Sequence, residues 1–182
     1  YINSNGGGGT ITVFVNIIPS TVTYNIDLYH GWNLITLPVE NDYTASSLFN
    51  DIEGCNIILG WNSSADDFDL YVSGSPYDFA IEDGHGYFVA VGEDTIFSVT
   101  GMPIENVEVA LQEGWNCLGW CEEQPIYASS IYSSIPGCTI VLGWNNSKED
   151  FDMYVSGSPY DFIIEICDGF MVGTTEESIW YG

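Results

Sequence analysis

Residues 71–79, YVSGSPYDF, return unchanged as residues 154–162, 83 positions further along the chain. The same offset relates Gly31-Trp32-Asn33 to Gly114-Trp115-Asn116, and Ala45-Ser46-Ser47 to Ala128-Ser129-Ser130. Residues 31–99 align with 114–182 without a gap. A period held over so many positions marks a duplicated structural unit. Ahead of Gly31 the apolar residues alternate as Tyr24, Ile26 and Leu28, and ahead of Gly114 as Val107, Val109 and Leu111, so each unit opens with a strand. The chain therefore divides into an extension, 1–18, a first repeat, 19–101, and a second repeat, 102–182.

Within the first repeat, short apolar or alternating runs predict strands at 22–29, 32–39, 56–61, 68–73, 79–82, 86–91 and 95–100, separated by turn residues. The exception is 44–53. There Thr44 can cap a helix that sets Leu48, Phe49 and Ile52 on one side and ends at Gly54. Its counterpart is Ala128 to Ile135, stopped by Pro136-Gly137. Many short strands at this spacing give an all-β, mainly antiparallel class: two tandem homologous sandwich- or barrel-like units, each with one short helix.

The chain has 182 residues, with 26 Asp and Glu against one Lys and no Arg, a formal charge of −25. Nucleic acids and anionic membrane surfaces are bound through basic side chains, so both are excluded as partners. Hydrophobic residues make up 46% and aromatic residues 15% of the chain, enough apolar material to bury a core and exclude a solvating acidic tail. No apolar run is long enough to span a membrane, and residues 1–10 lack the basic and apolar regions of a signal peptide. The chain reads as a mature or excised segment.

Residues 1–17 have no repeat partner. Gly6–Gly9 form a flexible hinge, and beyond it Ile11, Val13, Val15 and Ile17 alternate with Thr10, Thr12, Phe14 and Asn16 as a strong strand. It either completes a sheet of the first repeat, ends a preceding domain, or is donated to a neighbouring subunit, turning unpaired edge groups into intermolecular hydrogen bonds. The second repeat offers an acceptor: it stops at Trp180-Tyr181-Gly182, where the first continues through Ser98-Val99-Thr100.

Candidate sites are few. Asn62-Ser63-Ser64 and Asn145-Asn146-Ser147 are glycosylation sequons at equivalent loop positions, about as many as this composition produces by chance. Asp66, Asp67 and Asp69, with Glu149, Asp150 and Asp152, form acidic loops that can hold calcium, although Phe68 and Phe151 interrupt the oxygen ligands; a solvated acidic turn is the favoured reading and no cofactor is required. Cys55 and Cys138 are repeat equivalents that either meet across a pseudo-twofold axis or stay buried as thiols. Cys117, Cys121 and Cys167 replace Leu34, Pro38 and Gly84. Four apart on a predicted strand, Cys117 and Cys121 stand about 13 Å from each other and cannot bond together, so either can pair with Cys167. His30 and His85 belong to no cluster, and no nucleophile elbow, P-loop or dinucleotide fingerprint occurs; the chain is not expected to be an enzyme. GWN appears four times, at 31, 60, 114 and 143, where the Trp rings either pack in an interface or stack on sugars.

GWNLITLPV at 31–39, the Ala-Ser-Ser-Leu helix, IILGWN at 57–62 and DGHGYFVAV closing into SVTG resemble the GWN-type β modules repeated in secreted surface proteins of archaea, methanogens especially, and of some bacteria. Both repeats match from about residue 22 onward. In the second, CLGWCEEQP stands in place of LITLPVEND and ICDGFMVG in place of DGHGYFVAV. The resemblance implies an extracellular, often glycosylated building block of a surface layer, sheath or filament, and carries over no catalytic residue. Together with the hinged strand, it leads to the expectation of a polymer-forming subunit at the cell surface. The alternatives are an adhesin or sugar-binding tandem module, and a surface-layer or sheath component without strand donation.

Overall fold

The computed structural model describes residues 20–182. The donor strand expected from Ile11, Val13, Val15 and Ile17 lies outside the described residues. The rest is mainly antiparallel β structure, built twice.

In the first repeat, β1 (Val22–Leu28) pairs, among the described residues, with β6 (Thr95–Gly101) alone. The other strands, β2 (Gly31–Ile35), β3 (Cys55–Asn62), β4 (Asp67–Tyr71) and β5 (Tyr87–Val91), form an antiparallel sheet in the order β2-β5-β3-β4. Helix α1 (Ala45–Asp51) lies between β2 and β3 in the chain and packs on β3. The second repeat repeats the plan: β7 (Glu108–Leu111) pairs with β14 (Ser178–Tyr181). Its sheet runs β8-β13-β10-β11, from β8 (Gly114–Gly119), β10 (Cys138–Asn145), β11 (Asp150–Tyr154) and β13 (Gly169–Thr174). Between β8 and β10 come β9 (Ile126–Tyr127) and α2 (Ala128–Ser134), and β12 (Ile163–Ile164) pairs with β9.

The strand expected at 79–82 is not formed in the first repeat. That segment makes a single bridge, Thr44 to Ala80, in which the Ala45 amide donates to Phe79 O and the Ile81 amide to Tyr43 O; in the second repeat the equivalent contact lengthens into the β9–β12 pair. The expected strand 32–39 also stops early, at Ile35. Beyond it the Thr36 amide leaves the ladder and donates to Cys167 O of the other repeat, 2.9 Å away.

Each repeat owns a core. Leu28, Val39, Leu48, Ile58, Val89 and Val99 fill the first, and Leu111, Leu118, Ile131, Val141, Phe170 and Trp180 the second. The ribbon and the helix together cover one face of each four-stranded sheet.

The invariant segment YVSGSPYDF acts as a clamp on the helix start. Asp78 accepts from the Ser46 amide at 2.9 Å and from its hydroxyl at 2.5 Å, and Asp161 does the same for Ser129 at 3.1 and 2.6 Å. Thr44 adds the expected cap, its hydroxyl accepting from Ser47 N. At Tyr127 no side-chain cap exists, so α2 relies on Asp161. The Phe that ends the segment lies over a glycine: a Cβ at Gly60 would sit 2.9 Å from Phe79, and one at Gly143 2.5 Å from Phe162. This explains why two of the four GWN triplets begin with glycine.

Replacing Asp161 with Ala removes the side-chain acceptor that holds the start of α2, and costs about 1 to 2 kcal/mol in urea unfolding. Asp78→Ala costs less, because Thr44 still caps α1.

Candidate functional site

The four-stranded sheets have a second apolar face, and the two repeats bury it against each other. Alternation along each strand sends Ile35, Ile58 and Val89 into the first core while Leu34, Leu59 and Phe88 face the other repeat. Likewise Leu118, Val141 and Val172 enter the second core, and Cys117, Leu142 and Met171 enter the seam. Aromatic rings run edge-to-face through the seam, from Trp61 to Phe68 (4.8 Å between centroids), Phe88 (5.8 Å), Phe151 (6.2 Å) and Trp144 (5.1 Å). Edge-to-face pairs of this kind stabilise beyond the area they bury.

The polar contacts are reciprocal. Trp61 Nε1 donates to Trp115 O at 2.6 Å, and its equivalent, Trp144 Nε1, to Trp32 O at 2.7 Å. Thr36 N donates to Cys167 O at 2.9 Å, and its equivalent, Gly119 N, to Gly84 O at 2.8 Å. Contacts that exchange under the repeat offset describe a pseudo-twofold axis, the geometry of an isologous dimer interface. The four GWN triplets thus divide into two jobs. At 31 and 114 the glycine takes a positive φ of 90° and 102°, and the buried Asn holds the preceding turn, with Asn33 bonded to Tyr29 N and O and Asn116 to Gln112 N and O. At 60 and 143 the glycine admits a Phe ring and the Trp reaches the partner triplet.

At the axis the fit is asymmetric. Thr36 is buried, and its side chain occupies the space where Gly119 has none; a Cβ on Gly119 would overlap the Thr36 hydroxyl and methyl groups. A Cβ on Gly86 would lie 2.8 Å from Cys117 Sγ, and one on Gly169 2.9 Å from Leu34. Residue differences between the repeats, rather than their identities, mark this fit, and no reading of either repeat by itself finds it.

Two matching clefts of about 280 Å3 open beside the seam, one lined by Trp61, Asn62, Asp69, Glu82 and Tyr87, the other by Trp144, Asn145, Asp152, Ile164 and Asp168. The sequon residues sit in them. Asn62 Nδ2 donates to Asp69 at 3.2 Å and Asn145 Nδ2 to Asp152 at 2.7 Å, so the nitrogen a glycan would modify is engaged by a carboxylate. Asp69 also accepts from the Tyr77 hydroxyl, and Asp152 is paired with Lys148, the chain's one basic side chain apart from histidine. Asp67 and Asp150 turn back on the next backbone amide, and Asp66 and Glu149 take positive φ at the loop tips. No group of three such ligands is gathered for a metal ion among the described residues.

All five cysteines are free thiols in this structure. Cys55 and Cys138 lie in different cores, each donating to the carbonyl two residues on, so the pseudo-twofold axis does not bring them together. Cys117 is buried in the seam, Cys121 is buried in the second core, and Cys167 packs against the first core beside the Thr36 amide. His85 Nδ1 lies 3.1 Å from Asp83 O and 3.9 Å from the Glu82 carboxylate.

No family model, curated protein or solved structure matches the chain. No helix among the described residues is long and apolar enough to cross a membrane.

Introducing Ala at Gly119 costs about 1 to 3 kcal/mol through overpacking at the axis. Thr36→Gly in the same chain recovers part of that loss, giving a coupling of at least ~1 kcal/mol in a double-mutant cycle measured by urea unfolding. A second outcome concerns pH. Although Asp168 is exposed as a residue, its carboxyl lines the second cleft, and desolvation there is the main influence that raises it from an ordinary 3.8 to about 6, against the opposing hydrogen bond from the Glu165 amide. Between those values the folded chain holds more of this proton than the unfolded chain, so its contribution to stability falls as pH rises through the window. Asp168→Asn removes that part of the slope in a series of melting temperatures.

Proposed function

We propose that this chain is a structural subunit of an extracellular archaeal surface assembly, a filament or pilus-like polymer joined by donation of residues 10–18 from one copy to the body of the next. The observation that carries the reading is the pair of ribbons. β1–β6 and β7–β14 have two strands each, and among the described residues neither ribbon is paired along its outer edges. Their inner faces carry Ile26, Leu28, Phe97 and Val99, or Val109, Leu111 and Trp180, over the cores. Unpaired amides and carbonyls above an apolar core are what an incoming alternating strand requires. By contrast, at one edge of each four-stranded sheet β4 and β11 carry Asp67 and Asp69, or Asp150 and Asp152, charges that discourage pairing there. The seam welds both repeats into one body, which suits a subunit that bears load.

The twin clefts favour a second reading, a sugar-binding adhesin, since each sets a Trp beside an Asn and an Asp.

Electron microscopy and size-exclusion chromatography of residues 1–182 and 19–182 separate these readings. The full chain forms filaments, the shortened one stays monomeric, and excess peptide 10–18 caps growth. Filaments that persist without residues 1–18 overturn strand donation. Glycan-array binding by the monomer, lost in both Trp61→Ala and Trp144→Ala, establishes the adhesin in its place.

A further inference from the structure

We propose that Cys121 and Cys167 are a disulfide-forming pair, a covalent lock placed where a turn of the second repeat meets the first repeat at the end of the seam.

Three observations converge on these two residues. The backbone brings them to adjacent segments: the Cys167 amide donates to Trp120 O at 3.1 Å and the Trp120 amide to Asp168 O at 2.9 Å, so the residue before Cys121 is paired with the turn carrying Cys167. Cys121 directly follows Trp120, so the two cysteines stand on neighbouring backbones, whose usual spacing of about 5 Å lies within the range a disulfide spans. Thr36 of the first repeat touches both: its amide donates to Cys167 O, and its hydroxyl, which donates to His85 O, lies beside the Cys121 sulfur, whose thiol donates to Gly119 O. Finally, Cys167 has φ of 74°, the left-handed conformation of Gly84, φ 73°, its counterpart in the first repeat. A side chain there costs roughly 1 to 2 kcal/mol relative to glycine, so the second repeat carries a strained cysteine where the first shows that glycine fits. The first repeat has Pro38 at the position matching Cys121, so both thiols are departures of the same repeat at the same junction.

The other cysteines have no such neighbour. Cys55 and Cys138 sit on β3 and β10, each bonded to the carbonyl two residues on, and Cys117 points into the seam against Gly86.

The oxidant is a small organic disulfide. The Cys167 thiolate attacks one of its sulfur atoms and expels a thiol, forming a mixed disulfide. The Cys121 thiolate then attacks the Cys167 sulfur and expels the second thiol. Two protein S–H bonds and one S–S bond are consumed; one protein S–S bond and two small-molecule S–H bonds are made. Burial above all, with the charges of Asp83 and Glu122, raises the Cys121 thiol to about 11; burial, then Asp168, raises Cys167 to about 12. Only the thiolate reacts, so the exchange is slow at neutral pH and quickens in mild alkali. The closed loop encloses β9, α2, β10, β11 and β12, and restrains the second repeat in its unfolded state.

The test equilibrates the full chain with oxidised and reduced glutathione in mild alkali, then denatures it, alkylates it and maps its peptides without reduction. The expected result is loss of two of the five alkylatable thiols and a peptide joining Cys121 to Cys167. Cys121→Ser and Cys167→Gly each leave all four remaining thiols alkylatable, and Cys167→Gly installs the residue that the first repeat tolerates. Five alkylatable thiols under oxidising buffer, or a cross-link joining any other pair, overturns the proposal. The outcome is independent of whether the chain polymerises.

Discussion

Each four-stranded sheet is apolar on both faces, and that is the constraint from which the rest of the molecule follows. A ribbon and a helix can cover only one face. The other needs a second sheet of matching relief, and duplication provides it within the same chain. Leu34, Leu59 and Phe88 would be exposed in an isolated first repeat, as would Cys117, Leu142 and Met171 in an isolated second. Burying them together removes from water a surface that, left open, is the kind that drives association. The tryptophans contribute more than area, since Trp61 and Trp144 each place an indole N–H on the partner's carbonyl and so fix the register of the two halves.

The architecture was largely legible because its signals are local. Period-two alternation at Tyr24, Ile26 and Leu28 marks a strand with one wet face, whereas unbroken runs such as NLITL and YFVAV mark strands covered on both sides. Thr44 and Gly54 bound the helix as capping chemistry requires. The site was far less legible. That the repeats touch through GWN is suggested by Trp at repeated positions, but which carbonyl receives each indole is set by three-dimensional placement. The Thr36 and Gly119 fit could only have been suspected from a difference between the repeats, a buried hydroxyl residue against nothing. The expected strand at 79–82 shrank to one bridge with the chain entering α1, a length that the local pattern of Phe79, Ala80 and Ile81 does not fix, since the same contact in the second repeat makes the β9–β12 pair.

Charge shapes the molecule in a second way. With a formal charge of −25, carboxylates have few cations to pair with, and the fold satisfies them with neutral donors instead. Asp78 and Asp161 accept from serines and amides, Asp69 from an Asn and a Tyr hydroxyl. Hydrogen bonds of a charged acceptor to neutral donors are among the stronger kind and do not depend on salt as ion pairs do. Lys148 with Asp152 is the exception, and it stands at the surface.

The threonine set into the hollow of Gly119 also has a genealogical meaning. Two identical halves would meet at the axis like with like: threonine against threonine would collide, and glycine against glycine would leave a gap. Once one half grew and the other shrank at that point, neither could stand in for its twin. The pair ceased to be interchangeable copies and became two distinct parts of one object.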